Sequence, residues 1–195
     1  MQLYEDREGI LHLDGSYILR LVHDFSVLSP AAFRERFDLH NGQFPQKKVP
    51  LKGPRIFLTG STIPSGVAEL VHELGGVIVL DDLCTGKRLL QTDTKPGQGE
   101  DPYNYLARTY LGKESCPRMR WNEKKLTGLK KMLHRYDIEG VIFYYLKFCD
   151  PWYYFGLLLK ETIKEIPVLI LEGDYSGVEC GQMQTRISAF LEMIC

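Results

Sequence analysis

What this 195-residue sequence lacks narrows it first. No apolar run approaches the roughly 18 residues that span a bilayer, so no membrane partner is expected. Neither sign of charge dominates. Lys and Arg number 24, Asp and Glu 25, and the net charge is −1. Non-specific nucleic-acid binding draws on a basic surplus that displaces counterions, so no nucleic-acid partner is expected either. Cysteine is scarce and odd in number: Cys84, Cys116, Cys149, Cys180 and Cys195. No CxxC pair occurs, and the opening MQLYEDREG is acidic and polar, unlike a secretory signal. A disulfide framework is therefore not expected, and a reducing, cytoplasmic location is. Solenoid repeats and low-complexity tracts are absent. So is GxGxxG. Gly60 and Gly66 stand one residue too far apart for a Walker A loop, with Val67 in place of its lysine.

What is present reads as a globular chain, 44% hydrophobic and 25% charged. The length allows one domain, or one domain plus an extra segment. Residues 1–53 read as a helical connecting segment and linker. Ser16 to Val27 carries Tyr17, Leu21 and Phe25 at helical spacing. Ser29 and Pro30 then suit the cap and first turn of a second helix through Phe33 and Phe37. The stretch NGQFPQKKVPLKGP closes the segment as a linker.

Residues 54–195 read as an α/β domain. Ile56–Leu58, Val77–Leu80, Val141–Leu146 and Val168–Leu171 are short apolar runs consistent with buried strands. Helical stretches separate them: one capped by Ser65 and ended by Gly75-Gly76, one from Asp101-Pro102, one from Asn122, one from Pro151, and a last one with Met183, Ile187, Phe190 and Leu191 on its apolar side. Leu89 to Glu100 reads as a loop. The pattern predicts a flavodoxin-like four-stranded parallel sheet, ordered 2-1-3-4, with helices on both faces and a helical segment before it.

Ligands of open α/β sheets bind at the carboxyl ends of the strands. Two cysteines emerge there, Cys84 after the second strand and Cys149 after the third. Cys116 lies in a long loop that could fold over the same edge. Three thiolates converging there could hold an iron–sulfur cluster. The competing reading is that isolated cysteines are small buried hydrophobes. Cys180 and Cys195, on or at the end of the last helix, read as inert. Asp81-Asp82 reads as a solvated, helix-capping pair, and Arg186 as the partner of Glu172 or Asp174. Cys149 precedes Pro151 and a helix N-terminus, whose amides favour a thiolate. If exposed, it is expected to react fastest of the five.

The segments Asp81-Asp82-Leu83-Cys84-Thr85-Gly86, Tyr145-Leu146-Lys147-Phe148-Cys149-Asp150-Pro151 and Glu172-Gly173-Asp174-Tyr175-Ser176, followed by Gly181-Gln182-Met183-Gln184-Thr185-Arg186, resemble the C-terminal domain of a subunit of the 2-hydroxyacyl-CoA dehydratase/benzoyl-CoA reductase family. The resemblance runs from about Gly15 to the C-terminus. It implies a [4Fe–4S] cluster held between two flavodoxin-like domains, with Cys149 as one ligand and two more ligands from an N-terminal domain. Cys84 and Cys116 match cysteines near that site rather than ligands. The implied partners are an ATP-dependent iron–sulfur activator protein and an acyl-CoA substrate. The implied chemistry is a one-electron reduction of the thioester carbonyl, giving a ketyl radical that expels hydroxide.

These 195 residues are expected to hold no counterpart of the N-terminal domain. The expectation is that the chain acts only with that missing half or a partner subunit, and that alone it is inactive, with little or no iron. The rival expectation is a non-catalytic module that binds an acyl-CoA or another protein.

Overall fold

The computed structural model describes residues 15–41, 52–90, 95–113, 116–118, 123–175 and 181–194. Cys180, Cys195, the linker over 42–51 and the first 14 residues lie outside the described residues. The strands are β1 (Arg55–Gly60), β2 (Val77–Asp82), β3 (Gly140–Leu146) and β4 (Val168–Gly173). They form one sheet in the order β2-β1-β3-β4, with every pairing parallel. This is the flavodoxin-like order expected from the alternation of apolar runs and helices. An all-parallel sheet must be covered on both faces. Accordingly β2 is buried throughout, and β1 and β3 along all but one end residue. Edge strand β4 is half-exposed over its first three residues.

The helices are α1 (Gly15–Val27), α2 (Pro30–Asn41), α3 (Ser65–Glu73), α4 (Lys87–Leu90), α5 (Pro102–Leu111), α6 (Glu123–Arg135), α7 (Asp150–Thr162) and α8 (Gly181–Ile194). Successive strand residues point to opposite faces, so each strand feeds two cores. On one face Phe57, Val79, Val141 and Phe143 meet Leu129 and Leu133 of α6 and Trp152, Phe155 and Leu159 of α7. On the other, Ile56, Leu58, Ile78, Ile142 and Tyr144 meet Leu19 of α1, Val67 and Val71 of α3, and Ile187, Phe190 and Leu191 of α8. Each such side chain, fully buried, contributes roughly 1.5–3 kcal/mol of transfer free energy.

Several helix ends follow the residues that mark them. Ser29 Oγ accepts from the Ala32 amide at 3.3 Å, ahead of Pro30. Asp101 accepts from the Asn104 amide at 3.0 Å, with Pro102 in the first turn. Gly75 closes α3 with φ 90°, and the Gly76 amide donates to the Val71 carbonyl. Two ends differ from expectation. α3 starts at Ser65, but Pro64 holds the cap position and no side chain caps it. The stretch expected as loop from Leu89 begins inside α4. That short turn forms because Asp81 Oδ1 accepts from the Lys87 amide at 2.7 Å, a cap six residues upstream of the helix.

The centre of the sheet requires one glycine. Gly60 ends β1 with φ 130°, and a Cβ there would run into the Tyr144 carbonyl oxygen. Only glycine lets the ends of β1 and β3 approach this closely.

Candidate functional site

Strand order reverses between β1 and β3, so the crevice at their carboxyl ends is the topological switch point. Ser61 fills it. Its amide donates to the Tyr144 carbonyl at 2.9 Å, and its Oγ accepts from the Leu146 amide at 3.0 Å. It is buried, and it ties the two strand ends together. The sequence reading passed over Ser61. A small hydroxyl residue directly after a close-approach glycine is the signal that marks it.

At the end of β2 the acidic pair is not solvated. Asp81 and Asp82 are both buried. Asp81 Oδ1 accepts from the Leu83 and Lys87 amides, which is a capping role. Asp82 binds Arg88 in a fork. Arg88 Nε lies 3.0 Å from Asp82 Oδ1, and Nη2 lies 2.7 Å from Oδ2 and 2.8 Å from the Asp82 carbonyl. The guanidinium carbon sits 5.0 Å from the centre of the Trp152 ring. Burial works against the Arg88 charge, but the attraction and hydrogen bonding of Asp82 outweigh it, so its pKa lies above the usual value. Arg88 Nη1 is also 3.6 Å from Cys84 Sγ. The periodicity of the sequence gives no sign of Arg88, because it faces inward from a single-turn helix.

The end of β3 is built as a tight turn. The Cys149 amide donates to the Leu146 carbonyl at 3.0 Å, and Phe148 takes φ 66°. A positive φ at the third turn position defines a type II turn and favours glycine or asparagine there. Phe148 holds it instead, with its side chain 96% exposed. Cys149 is the N-cap residue of α7, and its carbonyl accepts from the Trp152 and Tyr153 amides. The thiol side is buried, with the residue 9% exposed, and Cys149 belongs to the core that contains Trp152. Exposure was the condition for Cys149 to be the fastest thiol, and the structure does not meet it. Cys84 and Cys116 are half-buried.

One cation approaches Cys149 from outside. Arg118 Nη2 lies 3.9 Å from its Sγ. Arg118 is exposed, and its pKa lies above the usual value, first through this contact with Cys149 and then through the charge of Cys149, against a smaller opposing desolvation. The charge of Arg118 also reaches Cys116 and Cys84, and that of Arg88 reaches the same two. Arg118 is thereby placed at the carboxyl edge beside Cys149, and Cys84 and Cys116 lie within electrostatic reach of the same two cations. The three cysteines do not form a ligand set. Among the described residues no group of three His, Cys, Asp or Glu side chains is gathered to hold a metal ion. A self-sufficient three-thiolate centre does not fit this arrangement.

The end of β4 is strapped to the end of β3. Tyr144 Oη donates to the Asp174 carbonyl at 3.1 Å, Lys147 Nζ meets Asp174 Oδ2 at 3.1 Å, and the Lys147 amide donates to the Gly173 carbonyl at 2.8 Å. Burial, with help from the Asp174 charge, pushes the Tyr144 hydroxyl up to about 12. Arg186 does not hold the acidic loop as expected. Its Nη2 donates to the Ile170 carbonyl at 2.6 Å, and Lys147 is the residue that pairs with Asp174. No helix among the described residues is long and apolar enough to cross a membrane.

Comparison with known proteins gives a consistent result. Residues 14–194 match the family model described as 2-hydroxyglutaryl-CoA dehydratase, D-component. A protein of Escherichia coli strain K12 named as a dehydratase subunit is 34% identical over 148 residues, covering 72% of this chain and 38% of that protein. The (R)-phenyllactyl-CoA dehydratase beta subunit of Clostridium sporogenes is 28% identical, covering 74% and 39%. The lactoyl-CoA dehydratase subunit beta of Anaerotignum propionicum is 27% identical, covering 74% and 40%. The chain thus spans about two fifths of the length of the relatives it matches.

Proposed function

The chain belongs to the 2-hydroxyglutaryl-CoA dehydratase D-component family, and from that premise we propose that it forms one wall of an iron–sulfur dehydratase site acting on a 2-hydroxyacyl-CoA thioester. The observation that carries the reading is the position of Cys149. It caps α7 at the carboxyl edge, beside the switch point, with a guanidinium against its sulfur. In this reading Cys149 supplies one ligand of a [4Fe–4S] cluster. In this reading the other ligands come from polypeptide outside this chain, a further domain or a partner subunit, which accords with the absence of any group of three His, Cys, Asp or Glu side chains gathered for a metal among the described residues.

When bound, the cluster supplies one low-potential electron to the thioester carbonyl, which makes the neighbouring hydroxyl a leaving group. In this reading an ATP-dependent iron–sulfur activator protein is a partner of the assembly. The work of this chain is positional. The Leu146–Cys149 turn and the start of α7 fix the sulfur, Ser61 fixes the turn to β1, and the Lys147–Asp174 pair fixes it to β4. Arg118 sets a positive charge 3.9 Å from the sulfur. Acyl-CoA thioesters enter the reading because two of the relatives are named for them.

The test is recovery of the tagged chain from its native host, grown and lysed without oxygen. The expected product is a brown assembly of this chain with further polypeptide. Its visible absorption and iron should be lost on Cys149→Ala while the assembly persists. A colourless assembly, or iron unchanged by Cys149→Ala, contradicts the reading.

A further inference from the structure

The arginines of this chain differ in what they meet. Arg88 lies 2.7 Å from Asp82, Arg108 2.8 Å from Glu100 and Arg36 3.2 Å from Asp24. Arg55 and Arg186 donate to the Tyr136 and Ile170 carbonyls. Each of these guanidiniums has an oxygen as its partner. The acceptor that Arg118 meets among the described residues is a sulfur: its Nη2 lies 3.9 Å from Cys149 Sγ. Arg88 also stands 3.6 Å from a cysteine, Cys84, but Asp82 balances its charge. Among the described residues no carboxylate pairs with Arg118.

A guanidinium stays charged throughout the range in which proteins fold, and it presents five donors in a planar fork. A neutral thiol is a weak acceptor for such a group. A metal-bound thiolate is a strong one. It is deprotonated outright, and a hydrogen bond between ionised partners is roughly twice as strong as one between neutral groups. The chemistry of the contact therefore suits a sulfur that carries negative charge. Cys149 is buried and Arg118 is exposed, so the cation stands at the rim with the sulfur beneath it.

The reduction potential of an iron–sulfur cluster depends on its net charge and on the hydrogen bonds its sulfurs receive. The reduced form carries one more negative charge than the oxidised form. A cation at a ligating sulfur therefore stabilises the reduced form more and raises the potential. We infer that Arg118 sets the reduction potential of the cluster to which Cys149 contributes, by holding a guanidinium against the ligating sulfur. The inference rests on the iron–sulfur reading above and adds to it a role that ligation by Cys149 does not require. Arg118 acts through Cys149, and its work is to ease the uptake of one electron.

The test uses the assembly recovered without oxygen. Ti(III) citrate supplies one electron per cluster, and EPR counts the reduced cluster at each of a series of fixed potentials. Arg118→Gln should hold as much iron as wild type. At a given potential its ratio of reduced to oxidised cluster should fall at least tenfold, which is a drop of about 59 mV for one electron. Arg118→Lys keeps the charge and should restore more than half of that drop. Arg135→Gln removes a cation from the end of α6, ahead of the opposite edge of the sheet, and should leave the potential unchanged. A wild-type potential in Arg118→Gln with iron retained overturns the inference and leaves the dehydratase reading standing. So does a drop in Arg118→Lys as large as in Arg118→Gln, or an equal drop in Arg135→Gln. Loss of iron from Arg118→Gln overturns it too, since the residue would then hold the cluster rather than tune it. A colourless wild-type assembly, or iron unchanged by Cys149→Ala, overturns the reading itself and the inference with it.

Discussion

The ends of β2 and β3 each place a guanidinium against a cysteine, yet the two pairs are built to different ends. At β2, Arg88 is 8% exposed and spends its donors on Asp82 before it reaches Cys84. At β3, Arg118 is exposed and Cys149 is the partner that most raises its pKa. The first is a brace: a buried ion pair under a tryptophan ring that locks α4 and α7 to the sheet. The second leaves a cation and a buried sulfur at the rim, with a wholly exposed phenylalanine beside them. The same residue types thus serve cohesion in one place and, in the proposed reading, a site in the other. What separates them is the presence of a buried carboxylate.

Arg88→Ala breaks that contrast most severely. It takes the guanidinium away from the buried Asp82 carboxylate, and removal of one partner from such a pair costs about 3–5 kcal/mol. Chemical denaturation should show a loss of that size. The double variant Asp82→Leu/Arg88→Met should recover most of it, because no lone charge remains. If Arg88→Ala unfolds at the wild-type midpoint, the β2 end is not a brace.

The next effect is a pH dependence that belongs to the β3–β4 strap. Tyr144 is neutral in both states below the ordinary tyrosine pKa of about 10. Its folded value is pushed up to about 12, so between pH 10 and 12 the unfolded chain releases a proton that the folded chain keeps. Stability should be flat up to pH 10 and fall as pH rises through that window, by up to about 2–3 kcal/mol. Tyr144→Phe should flatten the fall. It should cost about 1 kcal/mol at neutral pH through the lost bond to the Asp174 carbonyl.

A smaller and opposite effect is expected at the turn itself. Phe148 occupies a left-handed position while burying nothing, so Phe148→Gly should stabilise the isolated chain by roughly 0.5–1 kcal/mol. A destabilised variant would mean that the ring packs in solution. Arg118→Ala should leave the melting temperature unchanged, in contrast to Arg88→Ala. Brief alkylation followed by peptide mapping should label Cys116 and Cys84 ahead of Cys149 in the folded chain, in line with their exposure.

The sequence conveyed the sheet because its information is local. Four β-rich apolar runs, separated by helical periodicity and marked by Ser29, Gly75 and Pro102, leave few topologies open. It also placed Cys149 at the carboxyl edge, because that follows from strand ends alone. It did not convey Ser61 or Arg88, whose roles depend on partners far off in sequence or on a one-turn helix without period. Asp82 read as a surface residue for the same reason: its burial is set by the arginine that comes to meet it, while Asp81 is buried by the amides it caps. Cys149 read as open because a strand-end turn does not reveal which way its sulfur packs.

The most direct test of the account compares Cys149→Ser with Cys84→Ser in the assembly recovered without oxygen, measuring iron per chain and melting temperature together. The account predicts that Cys149→Ser abolishes bound iron while the assembly persists, and that Cys84→Ser retains iron and shifts only stability. Iron retained in Cys149→Ser, or lost in Cys84→Ser with stability unchanged, would contradict it.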